Sequence, residues 1–327
     1  MNSVEIKSPT RVDLAGGTLD CWPLYCLVGP SITTNISISV QTRAKIEKRE
    51  GTGIELSLKD LDYKKKFKNL DELLKCEDPQ VVLAQKLLMK LQPRFGFFLE
   101  TESQSPVGGG LGGSSSLCVS IIKAFDQLME VKRDLYQIVK LASDLEAKVL
   151  HKLTGTQDYY PAADPGVCAI HYDYGQVRLE KLTIPAKVIE QQLILVYTGR
   201  SHNSGINNWQ VIKRAVEGDK TTLGALEDIR QISLDMYECL KSQSWRDLAR
   251  LFSREYLARV KLAESFTSPE IVRLEKLSAA AGAEATKICG AGGGGCVFVW
   301  TPVERRADVE GAIRKSGFQI LEARVVN

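Results

Sequence analysis

The apolar residues of the chain follow two periods, and together these predict a fold of mixed helices and strands. Ile36, Ile38 and Val40 alternate with polar residues, which indicates a half-buried strand. Short apolar runs predict four further strands, at residues 97–100, 167–171, 193–197 and 296–301. The sequence contains no internal repeat, so we expect an α+β fold that is not built from repeated units.

Helical spacing is clearest in three segments. Apolar residues three or four positions apart are Leu117, Ile121, Phe125 and Leu128 in the first, Leu135, Ile138, Leu145 and Val149 in the second, and Leu226, Ile229, Ile232, Met236 and Leu240 in the third. We expect the second helix to stop at Gly155, which leaves Asp158 in a loop. The third stripe is more typical of a core-facing helix than of a partner surface.

A glycine-rich segment directly precedes the first of these helices. Residues 106–116 read PVGGGLGGSSS. Glycines allow the backbone to curl so that several N–H groups point inward, and the helix that follows adds the positive end of its dipole. The segment therefore predicts a loop that binds the phosphates of a nucleotide.

This pattern of glycines has several possible interpretations. A Walker loop needs Lys after its last glycine, whereas Gly113 is followed by Ser114. Gly108, Gly110 and Gly113 match G-x-G-x-x-G, but residues 101–106 separate them from the predicted strand, unlike a dinucleotide fold. A flexible linker is disfavoured because a helical pattern follows at once. The remaining alternative is the phosphate loop of the GHMP kinases (galactokinase, homoserine kinase, mevalonate kinase, phosphomevalonate kinase), whose Pro-x-x-x-Gly-Leu-Gly-Ser-Ser pattern this segment resembles.

Two more segments resemble motifs of the same family, in the family's order. Residues 9–20 read PTRVDLAGGTLD, similar to the first motif of the sugar-kinase branch, and residues 287–296 read KICGAGGGGC, similar to the C-terminal glycine motif. Mevalonate kinases have Lys where Arg11 stands, so the sugar-kinase branch is favoured. Arginine suits a transferring phosphoryl group, and the Asp20 carboxylate suits sugar hydroxyls. The alternatives are a surface ion pair for Arg11 and Asp20 and a flexible hinge for the glycines.

The middle of the chain supplies the acidic residues of the motif set. Residues 155–158 read GTQD, which resembles the aspartate motif of sugar and heptose kinases in this family. The resemblance implies that Asp158 is the catalytic acid-base, that Glu146 is a magnesium ligand, and that Ser114 contacts metal and phosphate. The alternatives are a solvated helix residue for Glu146 and a turn cap for Asp158.

The resemblance thus implies a complete set of site residues. The catalytic residues are Asp158 and Arg11; the ATP-binding residues are Pro106, Gly108, Gly109, Gly110, Leu111, Gly112, Gly113, Ser114 and Ser115; the substrate residues are Thr18, Asp20, Gly292 and Gly293; and the Mg²⁺ ligands are Ser114 and Glu146. The implied reaction transfers the γ-phosphoryl of ATP to a hydroxyl of a sugar or sugar phosphate, with the anomeric hydroxyl expected. The alternatives are a mevalonate- or polyol-type kinase of the same family and a catalytically silent protein that binds sugar or nucleotide.

Some residues depart from the patterns of individual branches. Thr18 and Leu19 stand where galactokinases have His and Thr, and residues 16–20 are closer to the heptose and fucose kinases. Thr156 and Tyr159 stand where heptose kinases usually have Lys and Gln, which disfavours heptose 7-phosphate. Residues 197–209 resemble a further sugar-kinase segment and predict either a lid over substrate or nucleotide or an ordinary polar loop.

Length and charge agree with these expectations. The 327 residues, 44% of them hydrophobic, suit two lobes, which the resemblance makes a ribosomal S5-like lobe at 1–182 and a ferredoxin-like lobe at 183–327. A net charge of +3 does not suggest nucleic acid, and neither a membrane span nor a signal sequence is evident, so we expect a cytoplasmic enzyme. The eight cysteines lack C-x-x-C spacing and read as reduced core residues. The expected partner is a small molecule, bound by a monomer or a homodimer.

Overall fold

Two sheets carry the fold, and each belongs to a different part of the chain. The computed structural model describes residues 2–151, 153–201, 204–290 and 292–327, with the backbone alone for residues 204–207. The strands are β1 Ser3–Ala15, β2 Ser31–Arg49, β3 Ile54–Leu58, β4 Tyr63–Phe67, β5 Gly96–Ser103, β6 Val167–Asp173, β7 Gln176–Leu182, β8 Leu193–Tyr197, β9 Ala285–Ile288, β10 Cys296–Trp300 and β11 Gln319–Leu321. The helices are α1 Leu24–Val28, α2 Leu70–Leu74, α3 Val82–Leu91, α4 Gly113–Met129, α5 Leu135–Leu150, α6 Tyr159–Ala163, α7 Ala186–Gln192, α8 Ser204–Val216, α9 Lys220–Lys241, α10 Leu248–Leu262, α11 Pro269–Ala280 and α12 Arg306–Lys315.

The N-terminal sheet has the order β4-β3-β5-β2-β6-β7, with β1 paired to β2. Its pairs are antiparallel except for β3 with β5, so the parallel sheet of a dinucleotide-binding fold is excluded. Strand β2 is buried without interruption over residues 31–38 and alternates only from residue 39 onward. The expected half-buried strand is therefore wrong for its first half, because α4 and α9 both pack against β2.

The C-terminal sheet has the order β11-β8-β10-β9 and is antiparallel throughout. The elements of this part of the chain follow the ferredoxin-like order. They are β8, the helices after it, the β9–β10 pair, α12 and β11. Helix α9 buries its whole predicted apolar stripe, which confirms that this face belongs to the core. The predicted α+β fold with a ferredoxin-like C-terminal lobe is confirmed.

One hydrophobic core joins the two sheets. It contains Val12 and Ile36 from the first sheet and Val297 and Phe298 from the second. Near the end of the chain, Val325 returns to pair with Ile38 of β2. The predicted lobe boundary at 182/183 falls between β7 and α7 and stays a prediction.

Helix α5 ends earlier than expected. Its last residue is Leu150, and His151 adopts the left-handed conformation with φ 51° while its N–H bonds to the Ala147 carbonyl. The expected stop at Gly155 is therefore wrong, since a non-glycine residue supplies the left-handed cap. Asp158 lies directly before the short helix α6.

The remaining expectations concern thiols and membranes. The eight cysteines all lie among the described residues and are free thiols, and six of them are buried. Over the described ranges, no helix is long and apolar enough to cross a membrane.

Candidate active site

The predicted phosphate loop connects β5 to α4 and curls through three left-handed glycines. Gly108, Gly110 and Gly112 have φ values of 66°, 69° and 73°, a region in which a side chain is strained. Strand β5 runs to Ser103, three residues further toward the loop than the sequence indicates. The loop ends directly in α4 and lines a cavity, so the linker alternative is wrong.

This first cavity has a volume of about 340 Å³ and two unlike sides. One side is the main chain of the phosphate loop together with Pro106, Ser114 and Ser115. The rest of the lining is mainly apolar and includes Leu58, Leu61, Leu83, Ala84, Leu117 and Ile121, together with the polar residues Asp60 and Gln80. A phosphate cradle beside an apolar recess suits a nucleotide. Leu111 is different from its neighbours, because its side chain is buried in the core while its carbonyl accepts a hydrogen bond from the Arg11 N–H.

Arg11, on β1, holds the centre of the site together. Its Nε and Nη2 lie 2.8 and 2.6 Å from Asp158 Oδ1. Its Nη1 donates to the carbonyls of Gly110, at 2.6 Å, and Cys289, at 2.8 Å. The side chain is 4% exposed, so the alternative of a surface ion pair is wrong. Arg11 therefore fixes Asp158 and both glycine-rich loops relative to one another.

Glu146 points from α5 toward the start of α4. Its Oε2 accepts hydrogen bonds from Ser115 Oγ, at 2.7 Å, and from the Tyr159 hydroxyl, at 2.6 Å. Burial raises the pKa of Glu146, and hydrogen bonds from Tyr159, Ser114 and Ser115 oppose that rise. Since Glu146 is 4% exposed, the alternative of a solvated helix residue is wrong. Asp158 makes no side-chain capping bond to α6, so the turn-cap alternative is wrong as well.

A second, smaller cavity of about 110 Å³ adjoins the first. The two cavities share part of their walls, namely Arg11, Ser115, Glu146, Asp158 and Gly290. Thr18, Asp20 and Gln157 line only the second cavity. A group that projects from one cavity into the other therefore passes Asp158, which is where a phosphoryl donor and an acceptor hydroxyl would meet.

Asp20 is the buried carboxylate of the second cavity. The Gln157 N–H donates to its Oδ2 at 3.0 Å. Burial raises the pKa of Asp20 to about 6, with further raising by the charges of Asp158 and Asp13. A Cβ at position 155 would lie 1.9 Å from Asp20 Oδ2, so Gly155 leaves room for this carboxylate rather than ending a helix. The strained φ of 78° at Thr18 is a second sign of a functional site.

The C-terminal glycine loop packs on the phosphate loop. The Cys296 N–H donates to the Gly109 carbonyl at 2.7 Å, and a Cβ at Gly295 would lie 2.8 Å from the carbonyl oxygens of Gly108 and Gly109. Gly290 lines both cavities. Gly292 and Gly293, which the resemblance assigns to the substrate, line neither cavity, and Gly292 is packed against the Phe266 backbone.

Beneath the site lies a buried group of four charges that the sequence patterns do not predict. Asp13 and Arg259 lie 2.5 Å apart, Arg259 and Glu255 2.8 Å, and Lys287 and Glu255 3.2 Å, with all four side chains at most 2% exposed. Burial alone would raise the pKa of Asp13, but the charges of Lys287, Arg259 and Arg11 hold it below its usual value. Arg259 also donates to the Gly290 carbonyl, so the group joins β1, α10 and β9 behind the two loops. The sequence gives a signal for Asp13 and Lys287 only, because these two charged residues lie inside the motifs at 9–20 and 287–296.

The segment 197–209 contributes in part. Thr198 donates through its N–H and its hydroxyl to the Gly295 carbonyl, at 3.0 and 2.8 Å. Asn208 lines the second cavity. His202 and Asn203 lie outside the described residues, and the lid expectation stays a prediction.

The site has a glycine cradle, a buried arginine paired with Asp158, and the carboxylate of Glu146 at the junction of two cavities. These features define a phosphotransferase that acts on small molecules. Comparison with protein families agrees. Residues 80–166 match the model of the GHMP kinases N-terminal domain and residues 236–318 that of the GHMP kinases C-terminal domain, together just over half of the chain. The chain belongs to the GHMP kinase family.

Individual relatives differ in their named substrates. The chain is 28% identical over 324 residues to D-glycero-alpha-D-manno-heptose 7-phosphate kinase of Campylobacter jejuni, covering 96% of this chain and 94% of that protein. It is 28% identical over 233 residues to mevalonate kinase of Thermococcus sibiricus, covering 68% and 65%. The crystal structure of Lactococcus lactis galactokinase with galactose has the same fold, with a TM-score of 0.79 at 17% identity, over 99% of this chain and 93% of that one.

Proposed function

We propose that the protein transfers the γ-phosphoryl group of ATP to a hydroxyl of a sugar or sugar phosphate, with the anomeric hydroxyl as acceptor. The observation that supports this most is the position of Asp158. It lies at the junction of the two cavities, and Arg11 holds one of its oxygens through two nitrogens. The relative from Campylobacter jejuni, named as a heptose 7-phosphate kinase, supports a sugar-type acceptor.

The first cavity fits ATP. The curled main chain at Gly108, Gly110 and Gly112 can direct N–H groups at phosphates, and the N-terminus of α4 adds its dipole. The apolar side, which includes Leu83 and Leu117, suits a base. Pro106, Gly109 and Gly113 complete the wall on the phosphate side.

The residues near the junction also fit Mg²⁺. Ser114 is exposed in the first cavity, and Glu146 presents a buried carboxylate that lines both cavities. Magnesium takes oxygen ligands and is commonly held by one or two carboxylates together with phosphates and water. Bound there, it would neutralise charge on the phosphates during transfer.

The protein's own residues then divide the remaining work. Asp158 accepts the proton of the acceptor hydroxyl or orients that hydroxyl for attack. Arg11 keeps Asp158 in place and supplies positive charge beside the group in transfer. Asp20 and Thr18 hold the other hydroxyls of the acceptor, which fixes the reacting hydroxyl near Asp158.

Two other functions remain as alternatives. A mevalonate- or polyol-type kinase is supported by the similarity to mevalonate kinase, but Arg11 and the buried Asp20 favour a sugar. A catalytically silent binding protein would have no need of the Arg11–Asp158 pair. The cytoplasm, in which free thiols and ATP coexist, is the compartment that we propose.

The decisive experiment measures ADP release from MgATP with a panel of free hexoses, 6-deoxyhexoses, heptose 7-phosphate and mevalonate. We expect one dominant acceptor, with turnover lost in Asp158→Asn. The α-methyl glycoside of that acceptor, which blocks the anomeric hydroxyl, should not react. Turnover with mevalonate alone would contradict the sugar assignment, and ATP binding without turnover on any acceptor would favour the binding-protein alternative.

A further inference from the structure

The second cavity contains more hydrogen-bond acceptors than the protein satisfies. Asp20, Glu146 and Asp158 bring carboxylates to its wall. The Gln157 Oε1 and Asn208 Oδ1 atoms are buried, and neither has a partner among the described residues. A buried acceptor without a partner is unfavourable, and donors from a bound molecule would remove that cost.

Gln157 is held in place by its main chain. Its N–H donates to Asp20 Oδ2 at 3.0 Å, and its carbonyl accepts from Asn35 Nδ2 at 3.2 Å. The main chain of this residue is therefore fixed from both sides, and the residue is 6% exposed. An unpartnered amide oxygen on a fixed, buried residue is a built recognition element rather than a surface feature.

The cations of the same wall are already committed. Over the described residues, the cationic side chains that line the cavity are Arg11 and Arg259. Each nitrogen of Arg11 bonds to Asp158, Gly110 or Cys289. Each nitrogen of Arg259 donates to Glu255, Gly290 or Asp13. Every nitrogen of the two guanidinium groups therefore already has a protein partner, and both charges face protein carboxylates.

A free sugar and a sugar phosphate differ in the hydrogen-bonding groups that they present to the wall of the second cavity. A sugar hydroxyl donates a hydrogen bond, whereas a phosphate ester adds negative charge and mainly accepts. Leu150 and Leu153, which also line the cavity, offer a phosphate no partner at all. We propose that the acceptor is a free, uncharged monosaccharide whose hydroxyls donate to Asp20, Gln157 and Asn208, and that sugar phosphates are poor substrates. This inference rests on the proposed kinase function and narrows it to one substrate class.

The experiment compares each sugar with its own phosphate ester. The pairs are D-mannose and mannose 6-phosphate, D-galactose and galactose 6-phosphate, and D-glycero-D-manno-heptose and its 7-phosphate. In each ester the anomeric hydroxyl is free. We expect at least one free sugar to support ADP release with a kcat/KM at least tenfold above that of its ester. An ester that equals or exceeds its free sugar would overturn the inference while leaving the kinase function intact.

Binding, measured separately from turnover, distinguishes the two proposals. Calorimetric titration of the Asp158→Asn protein with ATP analogue and Mg²⁺ should detect a free sugar and not its ester. Lack of turnover in the native enzyme with this binding preference intact would contradict the kinase function alone. Preferential binding of an ester, or binding of neither member of any pair, would overturn the inference.

Two variants test the assigned contacts. Gln157→Met removes the unpartnered oxygen at similar size, and we expect it to raise the KM of the sugar about tenfold without changing the KM of ATP. Gln176→Met, on the exposed β7 position, is the matched control. Lys152→Met tests the cation that lies in sequence between Leu150 and Leu153. A selective loss of ester turnover in that variant, with an active ester in the native enzyme, would show a phosphate site and contradict the inference.

Discussion

The two cavities meet at Asp158 but differ in the chemistry of their walls. The first combines glycine main chain with leucine and isoleucine side chains, and the second combines buried carboxylates with amides. Main-chain N–H groups bind phosphates whatever the rest of the ligand is, whereas fixed side-chain acceptors select a particular arrangement of hydroxyls. The two cavities should therefore respond independently to substitution, except at the residues they share.

The largest effect is expected at the shared residue Asp158. Asp158→Asn keeps the shape of the side chain and removes the base, so kcat should fall by about 10³-fold. The KM values of both substrates should change far less. The measurement is steady-state ADP release, with circular dichroism to show that the protein is folded. Near-normal turnover would show that the base has been assigned wrongly.

A smaller but still large effect is expected behind the phosphate loop. Gly295→Ala places a methyl 2.8 Å from two carbonyl oxygens of that loop, at a φ of 73°. Backbone strain of about 1–3 kcal/mol, transmitted to the loop, would raise the KM of ATP by about 10–100-fold. The KM of the acceptor should stay close to normal.

Gly311→Ala in α12 is the matched control, since no described atom outside its helix would lie within 4 Å of the new Cβ. We expect this variant to keep normal kinetics. Equal losses in both variants, or a change confined to the acceptor KM, would refute the assignment of Gly295 to the donor side.

Asp20 provides the opposite test, on the acceptor side. Asp20→Asn removes a charged acceptor of sugar hydroxyls, so the KM of the acceptor should rise by about 10–30-fold while that of ATP stays constant. The variant should melt no lower than the native protein, because burial disfavours the Asp20 charge and raises its pKa to about 6. Steady-state kinetics measures the change in KM, and thermal melting measures the change in stability. A rise confined to the KM of ATP would contradict the separation of the sites.

The same residue predicts a dependence on pH. Asp20 has a raised pKa of about 6, so the carboxylate form is lost as the pH falls below that value. The KM of the acceptor should then rise by about tenfold per pH unit, and Asp20→Asn should remove this dependence. Protonation of Asp20 favours the folded state, and this contribution is lost as the pH rises from about 4 to about 6. A pH profile shared by the native enzyme and the variant would assign the titration to another group.

The smallest effect is expected in the apolar part of the donor cavity. Leu83→Ala removes half-buried apolar surface from that wall, so the KM of ATP should rise by about three- to tenfold. The KM of the acceptor is the internal control. A larger effect on the acceptor than on ATP would mean that the first cavity does not hold the nucleotide.

Local sequence patterns predicted the parts of the structure that depend on residues adjacent in sequence. The phosphate loop could be predicted because its glycines and the helix after it are adjacent. The strand and helix spacings located β5, β6, β8, β10, α4, α5 and α9. The partners of a side chain could not be predicted in the same way. Arg11 and Asp158 are 147 residues apart, and no local pattern connects them. The resemblance to a family is what relates one residue to the other.

Long-range packing also explains the errors. Residues 36–38 alternate in polarity but are all buried, because α4 and α9, from other parts of the chain, pack against β2. Glu255 and Arg259 belong to a helix whose charges look like a solvated face until Asp13 and Lys287 are placed beside them. The spacing of apolar residues indicates which face of a helix or strand packs on the core. It does not indicate which polar residues the fold brings together.

The contact between Gly155 and Asp20 also constrains how this site can diverge. A side chain at position 155 is blocked while the Asp20 carboxylate occupies its space, with 1.9 Å between the two. The order of substitution is therefore fixed: residue 20 must become smaller or turn away before residue 155 can become larger. In a library that randomises both positions, variants with a side chain at 155 should be confined to those in which residue 20 is smaller than Asp or turned away from residue 155.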